Sequence, residues 1–355
     1  MLMVIFGAGA SYDSSSTYTI GMTPPGYGLD QANDFHRLPL AKDLFANRPL
    51  FIEAIERFPQ CKTIVPKLRS PAVLSGRISI ETVLSETQEQ ATTYPRAMRE
   101  LAAVRCYLHY AITHCESSWK EITKGITNYL VLLRELERFH NHEDPVCLVT
   151  FNYDTLLEHA LEYLGYGIRS MEDYVDRAGP FKVFKLHGSV NWGQTVEIPI
   201  AESVQGHSST LMTYMIENAP QLKFKDSFVL GNSIPGSEAQ LVFPAIAIPV
   251  QKTRGFQCPA RVIEVLHSVL PCVTKILVVG WRATEDHFLK LLQRYTKRPV
   301  EVGIVAGRAD YAEEVQAQLH RALVGCFLQC TRHDGGFTDF ISSPDLQKFV
   351  GSEPL

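Results

Sequence analysis

The chain is short of charge, of closely paired cysteines and of long apolar runs, and each shortage closes off a class of protein. Charged residues make up 20% of its 355 residues and the formal net charge is -4. Its surface as a whole therefore attracts neither nucleic acid nor anionic lipid, and no direct sequence-specific nucleic-acid binding is expected. Apolar runs such as Ala245 to Val250 and Lys275 to Val279 stop well short of the ~18 residues that a membrane-spanning helix needs. No membrane span is expected. Met1 to Phe6 carries no basic leader, which argues against export and for a cytoplasmic setting. The eight cysteines include no C-x-x-C pair. Cys326 and Cys330, on a strand-like run, read as reduced packing thiols, and the spacing of Cys106, His109, His114 and Cys115 does not put four ligands on one helix face. The expected metal complement is none, with no structural zinc. Without a Gly-Lys dipeptide there is no P-loop, and without a Gly-x-Ser-x-Gly elbow a serine hydrolase is discounted.

What the chain does have is 45% apolar residues, enough for a sizeable core, arranged in strand-length and helix-length pieces. Strand-like runs cover Met1 to Phe6, Val146 to Phe151, Phe181 to Leu186, Lys275 to Trp281, Val300 to Ala306 and Cys326 to Cys330. Helical spacing marks Leu40 to Phe58, Ile80 to Gln90, Pro95 to Thr113, Trp119 to Phe139, Phe288 to Leu292 and Tyr311 to Leu323. Alternation of this kind predicts a parallel sheet with crossover helices. The expected fold class is α/β, a doubly wound parallel sheet of Rossmann-like type with a helical block inserted between its first two strands. A single domain over 1–355 is expected. Its core comes from about 1–40, 145–192 and 270–335, the helical block from about 40–140, and an irregular insertion with short helices from about 193–265.

Open sheets of this type bind ligands outside the carboxyl ends of their strands, and four strand ends here carry glycine-rich or polar turns. The first is Gly7-Ala8-Gly9-Ala10-Ser11, in which Tyr12 occupies the third glycine position of a dinucleotide fingerprint. A tight turn and a phosphate cradle fit its two glycines equally well. Asp13 to Asp34, rich in Ser, Thr, Gly and Pro, then reads either as a ligand-covering loop or as an ordinary surface loop. At the second end, Asn152-Tyr153-Asp154 precedes a helix; one of the two polar side chains caps it and the other is left to face the crevice. The third, Lys185-Leu186-His187-Gly188-Ser189, delivers a histidine into a Gly-Ser turn, and the fourth is Gly280-Trp281-Arg282. A phosphate turn, an amide and an imidazole on one edge of one sheet make a ligand site.

Gly7-Ala8-Gly9-Ala10-Ser11, Phe151-Asn152-Tyr153-Asp154 and Lys185-Leu186-His187-Gly188-Ser189 resemble, in that order, the core motifs of the sirtuin-like superfamily. The likeness is to its bacterial domains that cleave NAD as effectors of antiphage defence rather than to its protein deacylases. The deacylases' four-cysteine zinc module and Gly-Ile-Pro-Asp-Phe-Arg segment are absent, and Gly21 to Asp30 stands in the position of that segment. The family's later Gly-Thr-Ser turn and asparagine are replaced by Gly280-Trp281-Arg282 and Ala306-Gly307.

The resemblance implies NAD as the substrate of an NAD glycohydrolase, which yields nicotinamide and ADP-ribose through an oxocarbenium-like state. The catalytic residues would be Asn152, His187 and Asp154. His187 would act as general base toward a ribose hydroxyl or water, an unperturbed imidazole titrating near ~6.5. Asn152 would orient the water or ribose, and Asp154 would hold the ribose or stabilise positive charge. Gly7, Ala8, Gly9, Ala10 and Ser11 would hold the pyrophosphate, with Gly188, Ser189, Gly280, Trp281 and Arg282 completing the cofactor pocket. Since unchecked NAD loss kills a cell, the resemblance also implies gating, by homo-oligomer assembly or by a separate sensor chain such as a HerA-like ring ATPase or an Argonaute-type protein. Two other readings stay open: a non-catalytic sensor of NAD or an ADP-ribose-type ligand, and an NAD-dependent protein deacylase.

Overall fold

Strands covered on both faces have no solvent side to alternate with, so they read as unbroken apolar runs; those runs form the centre of the main sheet here. The computed structural model describes residues 1–14, 37–75, 77–139, 145–199, 208–231, 241–250 and 255–351. They fall into two compact units. One comprises Met1–Leu38, Glu116–His187 and Ala260–Leu355, the other Pro39–Cys115 and Gly188–Pro259. The described strands, in chain order, are β1 (Leu2–Phe6), β2 (Val146–Thr150), β3 (Phe181–Lys185), β4 (Gly188–Glu197), β5 (Lys223–Leu230), β6 (Leu241–Ile246), β7 (Lys275–Val279), β8 (Val300–Val305) and β9 (Phe327–His333).

The first unit holds a six-stranded parallel sheet in the order β3-β2-β1-β7-β8-β9. Val4 stands opposite both Leu148 and Leu277, and every residue of β2, β7 and β8 is buried. The chain starts at the centre, steps outward through β2 to β3, and returns to β7 on the other side of β1. Helices Leu156–Tyr163, Asp286–Tyr295 and Ala309–Ala322 follow β2, β7 and β8. This is the doubly wound α/β sheet that the alternation predicts. Its order reverses between β1 and β7, which puts a crevice at the carboxyl ends of those two strands.

The apolar spacing predicts separate helices over Pro95 to Thr113 and Trp119 to Phe139. Instead one helix runs Pro95–Thr123 and the next Asn128–Phe139. The break falls at Lys124 and Gly125, both left-handed with φ of 52° and 73°, a helix stop that glycine favours. Ile126, in phase with Ile122 in the sequence, leaves the helix there and is 46% exposed.

The second unit contains helices Pro49–Arg57 and Ile80–Ala91, residues 95–115 of the long helix, and a three-stranded antiparallel sheet in the order β5-β4-β6. Where the sequence predicts an irregular insertion with short helices, β4 continues to Glu197 and pairs with β5 and β6 on either side. None of the residues of β5 is buried, so no apolar face marks it as a strand. Pro244 lies in edge strand β6, where a missing N–H is tolerated. At the entry to β4, Gly188 has φ of +75°, and a Cβ there would lie 1.8 Å from the Ala245 carbonyl oxygen. Only glycine fits that turn.

Candidate active site

The site is built from strand ends of the first unit. After β1 the chain enters the short helix Ala8–Tyr12, and after β7 it turns through Gly280 at φ +61°. The two turns pack backbone against backbone. Gly7 N donates to Val279 O at 3.0 Å, Gly9 N to Gly280 O at 3.0 Å, and Ala10 N to Gly7 O at 2.9 Å. A Cβ on Gly7 would lie 2.5 Å from Trp281 Cα, and one on Gly280 would lie 2.3 Å from Ala10 N. The glycines are required by this contact across the sheet reversal. Three of the turn's amides are thereby already bonded.

Asn152, 6% exposed, leaves the end of β2 and reaches back to the β1 turn. Its Nδ2 lies 2.9 Å from the Gly7 carbonyl, 3.0 Å from Ser11 Oγ and 3.0 Å from the Tyr129 hydroxyl. Ser11 and Tyr129 share a further bond of 2.9 Å. Asn152 therefore locks the turn through a hydroxyl pair that comes from two other elements. Burial, with the Asp154 charge nearby, pushes the Tyr129 phenol well above its ordinary value.

Asp154 supplies the cap: its Oδ1 accepts from Leu156 N at 3.2 Å, at the start of helix Leu156–Tyr163. Burial raises its carboxyl to about 6, helped by the Glu116 charge and opposed by the Lys185 ammonium and the Ser11 hydroxyl. Lys185, fully buried at the end of β3, donates to the Asp154 carbonyl and to Glu158 Oε1, the latter at 2.7 Å. Tyr174 donates to the same carboxylate oxygen at 3.1 Å.

His187 follows β3. Its ring meets Phe151 edge-on at 4.9 Å and stacks on Tyr153 at 6.4 Å. Burial pushes its imidazole down to about 4, so it is neutral at pH 7 rather than titrating near the ordinary histidine value. Phe151 in turn stacks on Trp281 at 5.3 Å, which joins the β2, β3 and β7 ends through one set of rings. Trp281 Nε1 donates to Glu285 Oε2 at 2.5 Å, and burial raises the Glu285 carboxyl to about 7.

The structure thus brings together Gly7 to Ser11, Asn152, Asp154, His187, Gly280 and Trp281. Arg282 points elsewhere: its guanidinium is exposed, 3.1 Å from Glu314 Oε2 and over the Tyr311 ring. Gly188 and Ser189 belong to the second unit, where Ser189 is fully buried. All but the start of the Asp13 to Asp34 loop, and with it Gly21 to Asp30, lies outside the described residues. Sequence reasoning missed Tyr129, Lys185, Glu158 and Glu285 as members of the network. The first three sit in otherwise ordinary helix and strand patterns, and only a lysine closing an apolar strand gave any signal. Among the described residues no group of three or more His, Cys, Asp or Glu is placed to hold a metal, and no helix is long and apolar enough to cross a membrane.

A family model described as SIR2-like domain matches residues 146–222, the stretch from β2 that carries Asn152, Asp154 and His187. No curated protein matches the chain in sequence. A mutant of a Sir2 homologue in complex with 2'-O-acetyl ADP-ribose is 13% identical, the match covering 99% of this chain and 94% of that one at a TM-score of 0.38. Sir2 with a p53 peptide and NAD+ is 12% identical, covering 98% and 93% at a TM-score of 0.36.

Proposed function

We propose that the chain is an NAD glycohydrolase, cleaving the bond between nicotinamide and ribose to release nicotinamide and ADP-ribose. What carries this is one juxtaposition: a neutral His187 and an Asp154 that titrates near neutrality, on adjoining strand ends beside an Asn152 fixed to the Gly7–Ser11 turn. The likeness of residues 146–222 to the SIR2-like family model supports it. The residues suit the substrate best at its nicotinamide ribose, where the part-exposed Tyr153 ring offers a face to a flat cationic ring, while Phe151 and Trp281 are buried against each other beneath it. For the pyrophosphate, the bonded amides of Gly7, Gly9 and Ala10 leave the turn fewer donors than its glycines suggest.

NAD brings to the site a glycosidic bond that breaks through oxocarbenium-like charge. His187 accepts a proton at a ring nitrogen from a ribose hydroxyl or from water, and as a neutral ring it is free to do so at pH 7. Its depressed pKa makes it a weak base, so a partner that raises its basicity belongs to the working state. Asp154, once ionised, sets negative charge beside the ribose. Asn152 acts as a positioning residue, since its amide nitrogen is engaged by Gly7, Ser11 and Tyr129. NAD loss on this scale harms the cell that makes the enzyme, so the proposal includes gating by self-assembly or by a separate sensor chain, and a cytoplasmic role in antiphage defence.

The test is incubation of the full chain with NAD, alone and with candidate activating chains, following nicotinamide. Release that His187→Ala and Asn152→Ala abolish supports the proposal, and no release under any condition overturns it. A sensor module that binds without turnover is the second reading, favoured by the saturation of Asn152's amide and the capping duty of Asp154. Saturable NAD binding with no product formed would select it.

A further inference from the structure

The turn between β7 and helix Asp286–Tyr295 is strained where no glycine relieves it: Ala283, fully buried, has φ of 54°. A residue with a Cβ is sterically disfavoured in that conformation, and such strain persists only where the surrounding structure imposes it. The bend lets Glu285 reach back to Trp281. Glu285 stands at the N-cap of the helix, where a carboxylate would meet unbonded amides and the positive end of the helix dipole, yet its side chain makes no cap bond. Its Oε2 accepts instead from Trp281 Nε1 at 2.5 Å, from Thr284 N at 3.1 Å and from the Thr284 hydroxyl at 3.4 Å.

Trp281 is buried, stacked on Phe151 at 5.3 Å and edge-on to Phe288 at 5.7 Å, and Phe288 meets Phe151 edge-on at 5.4 Å. His187 in turn meets Phe151 at 4.9 Å. Contacts between ring surfaces constrain an indole's rotation in its own plane far less than a hydrogen bond at Nε1 does, since the bond weakens steeply when it is bent. A buried indole N–H also needs an acceptor. Glu285 supplies it from four residues further on, at the cost of a cap for its own helix.

We infer that Glu285 is a positioning residue for His187: it holds the Trp281 indole, the indole fixes Phe151, and Phe151 fixes the imidazole. Its importance for turnover rests on the reading of His187 as the base of the proposed reaction, whereas its effect on where the imidazole lies does not. A glutamate that merely steadied its own turn would affect the melting temperature alone.

Two substitutions in the full chain separate the hydrogen bond from the bulk of the side chain. In Glu285→Gln the amide oxygen takes the place of Oε2 and keeps the bond to Trp281; in Glu285→Leu nothing accepts it. In nuclear magnetic resonance spectra the Trp281 indole N–H signal, identified by its loss in Trp281→Phe, should be displaced and exchange faster with water in the Leu variant, and return toward the parent's in the Gln variant. The His187 ring signals, identified by their loss in His187→Ala, should follow the same pattern, because the imidazole packs on Phe151. With Trp281→Phe already in place, Glu285→Leu should move them no further, since both act through one contact. On NAD, Glu285→Leu should lower kcat about tenfold or more with KM little changed, and Glu285→Gln should restore most of it. A Leu variant that melts earlier but leaves the His187 signals in place overturns the inference, as does an equal displacement in the Trp281→Phe background. The spectra need no substrate, so a chain that releases no nicotinamide overturns the proposed reaction and leaves the role of Glu285 to be decided by the His187 signals.

Discussion

Asp154 and His187 are shifted in directions that pull stability opposite ways over the same range of pH. The Asp154 carboxyl is raised to about 6 from an unfolded value of about 3.9, so the folded state holds its proton longer. Its contribution is complete below about pH 4 and is lost as pH rises through about 6. The shift corresponds to an upper bound on the order of 3 kcal/mol. Asp154→Asn keeps an acceptor for Leu156 N and removes the titration. Its stability relative to the parent should therefore rise between pH 4 and pH 8 in denaturant melts, and a flat difference would refute the shifted carboxyl. His187 is lowered to about 4 from about 6.5, so its contribution is complete above the unfolded value and lost as pH falls through the folded one. The two effects oppose each other between about pH 4 and 6, so only single variants expose either. Asn152→Ala removes the donor to Gly7, Ser11 and Tyr129. At roughly 0.5–1.5 kcal/mol net per bond, and with Ser11 and Tyr129 still bonded to each other, a loss of about 1–3 kcal/mol is expected in the same melts.

At the level of elements, the β1 and β7 turns behave as one structure. Gly280→Ala puts a Cβ 2.3 Å from Ala10 N at φ +61°, so backbone must move. A loss of more than about 2 kcal/mol is expected, as for other strained backbone positions. Gly307→Ala, after β8, meets nothing within 4 Å and should stay within about 0.5 kcal/mol. Equal effects in thermal melts would show that the contact between turns is not what requires glycine. Lys185→Met, which leaves Glu158 buried without its cation, should cost about 3–5 kcal/mol, and adding Glu158→Gln should recover much of that. The core strands were legible because β1, β2, β7 and β8 are apolar runs, broken within only by Glu301 of β8, which pairs with Lys275 at the start of β7. The reason for Gly7 and Gly9 was not, because the backbone they meet lies at Gly280, far along the chain, and no local pattern announces a contact between turns. The helix break at Lys124 was equally hidden, since Ile122 and Ile126 keep helical spacing straight across it. Asn152 and His187 could be found as polar residues ending apolar runs, whereas Tyr129, one of many aromatics in a helical pattern, could not.

Across the whole chain, legibility follows coverage by other layers. The centre of the six-stranded sheet, β2, β1, β7 and β8, is buried on both sides and wrote itself into the sequence; edge strand β9 was legible too, although none of its residues is buried. The three-stranded sheet of the second unit was not, because β5 has no buried residue and β6 carries a proline. The same contrast sets an order of local stability, since amides in buried, doubly paired strands open only with the whole unit while exposed edge strands open alone. Hydrogen exchange followed by mass spectrometry should find β1 and β7 the slowest to exchange, each paired on both sides within the sheet. Edge strand β9, paired only to β8 and largely exposed, should exchange sooner, and β5, paired only to β4, among the first. Protection of β5 equal to that of β1 would mean that something beyond β4 covers it under the conditions of the experiment.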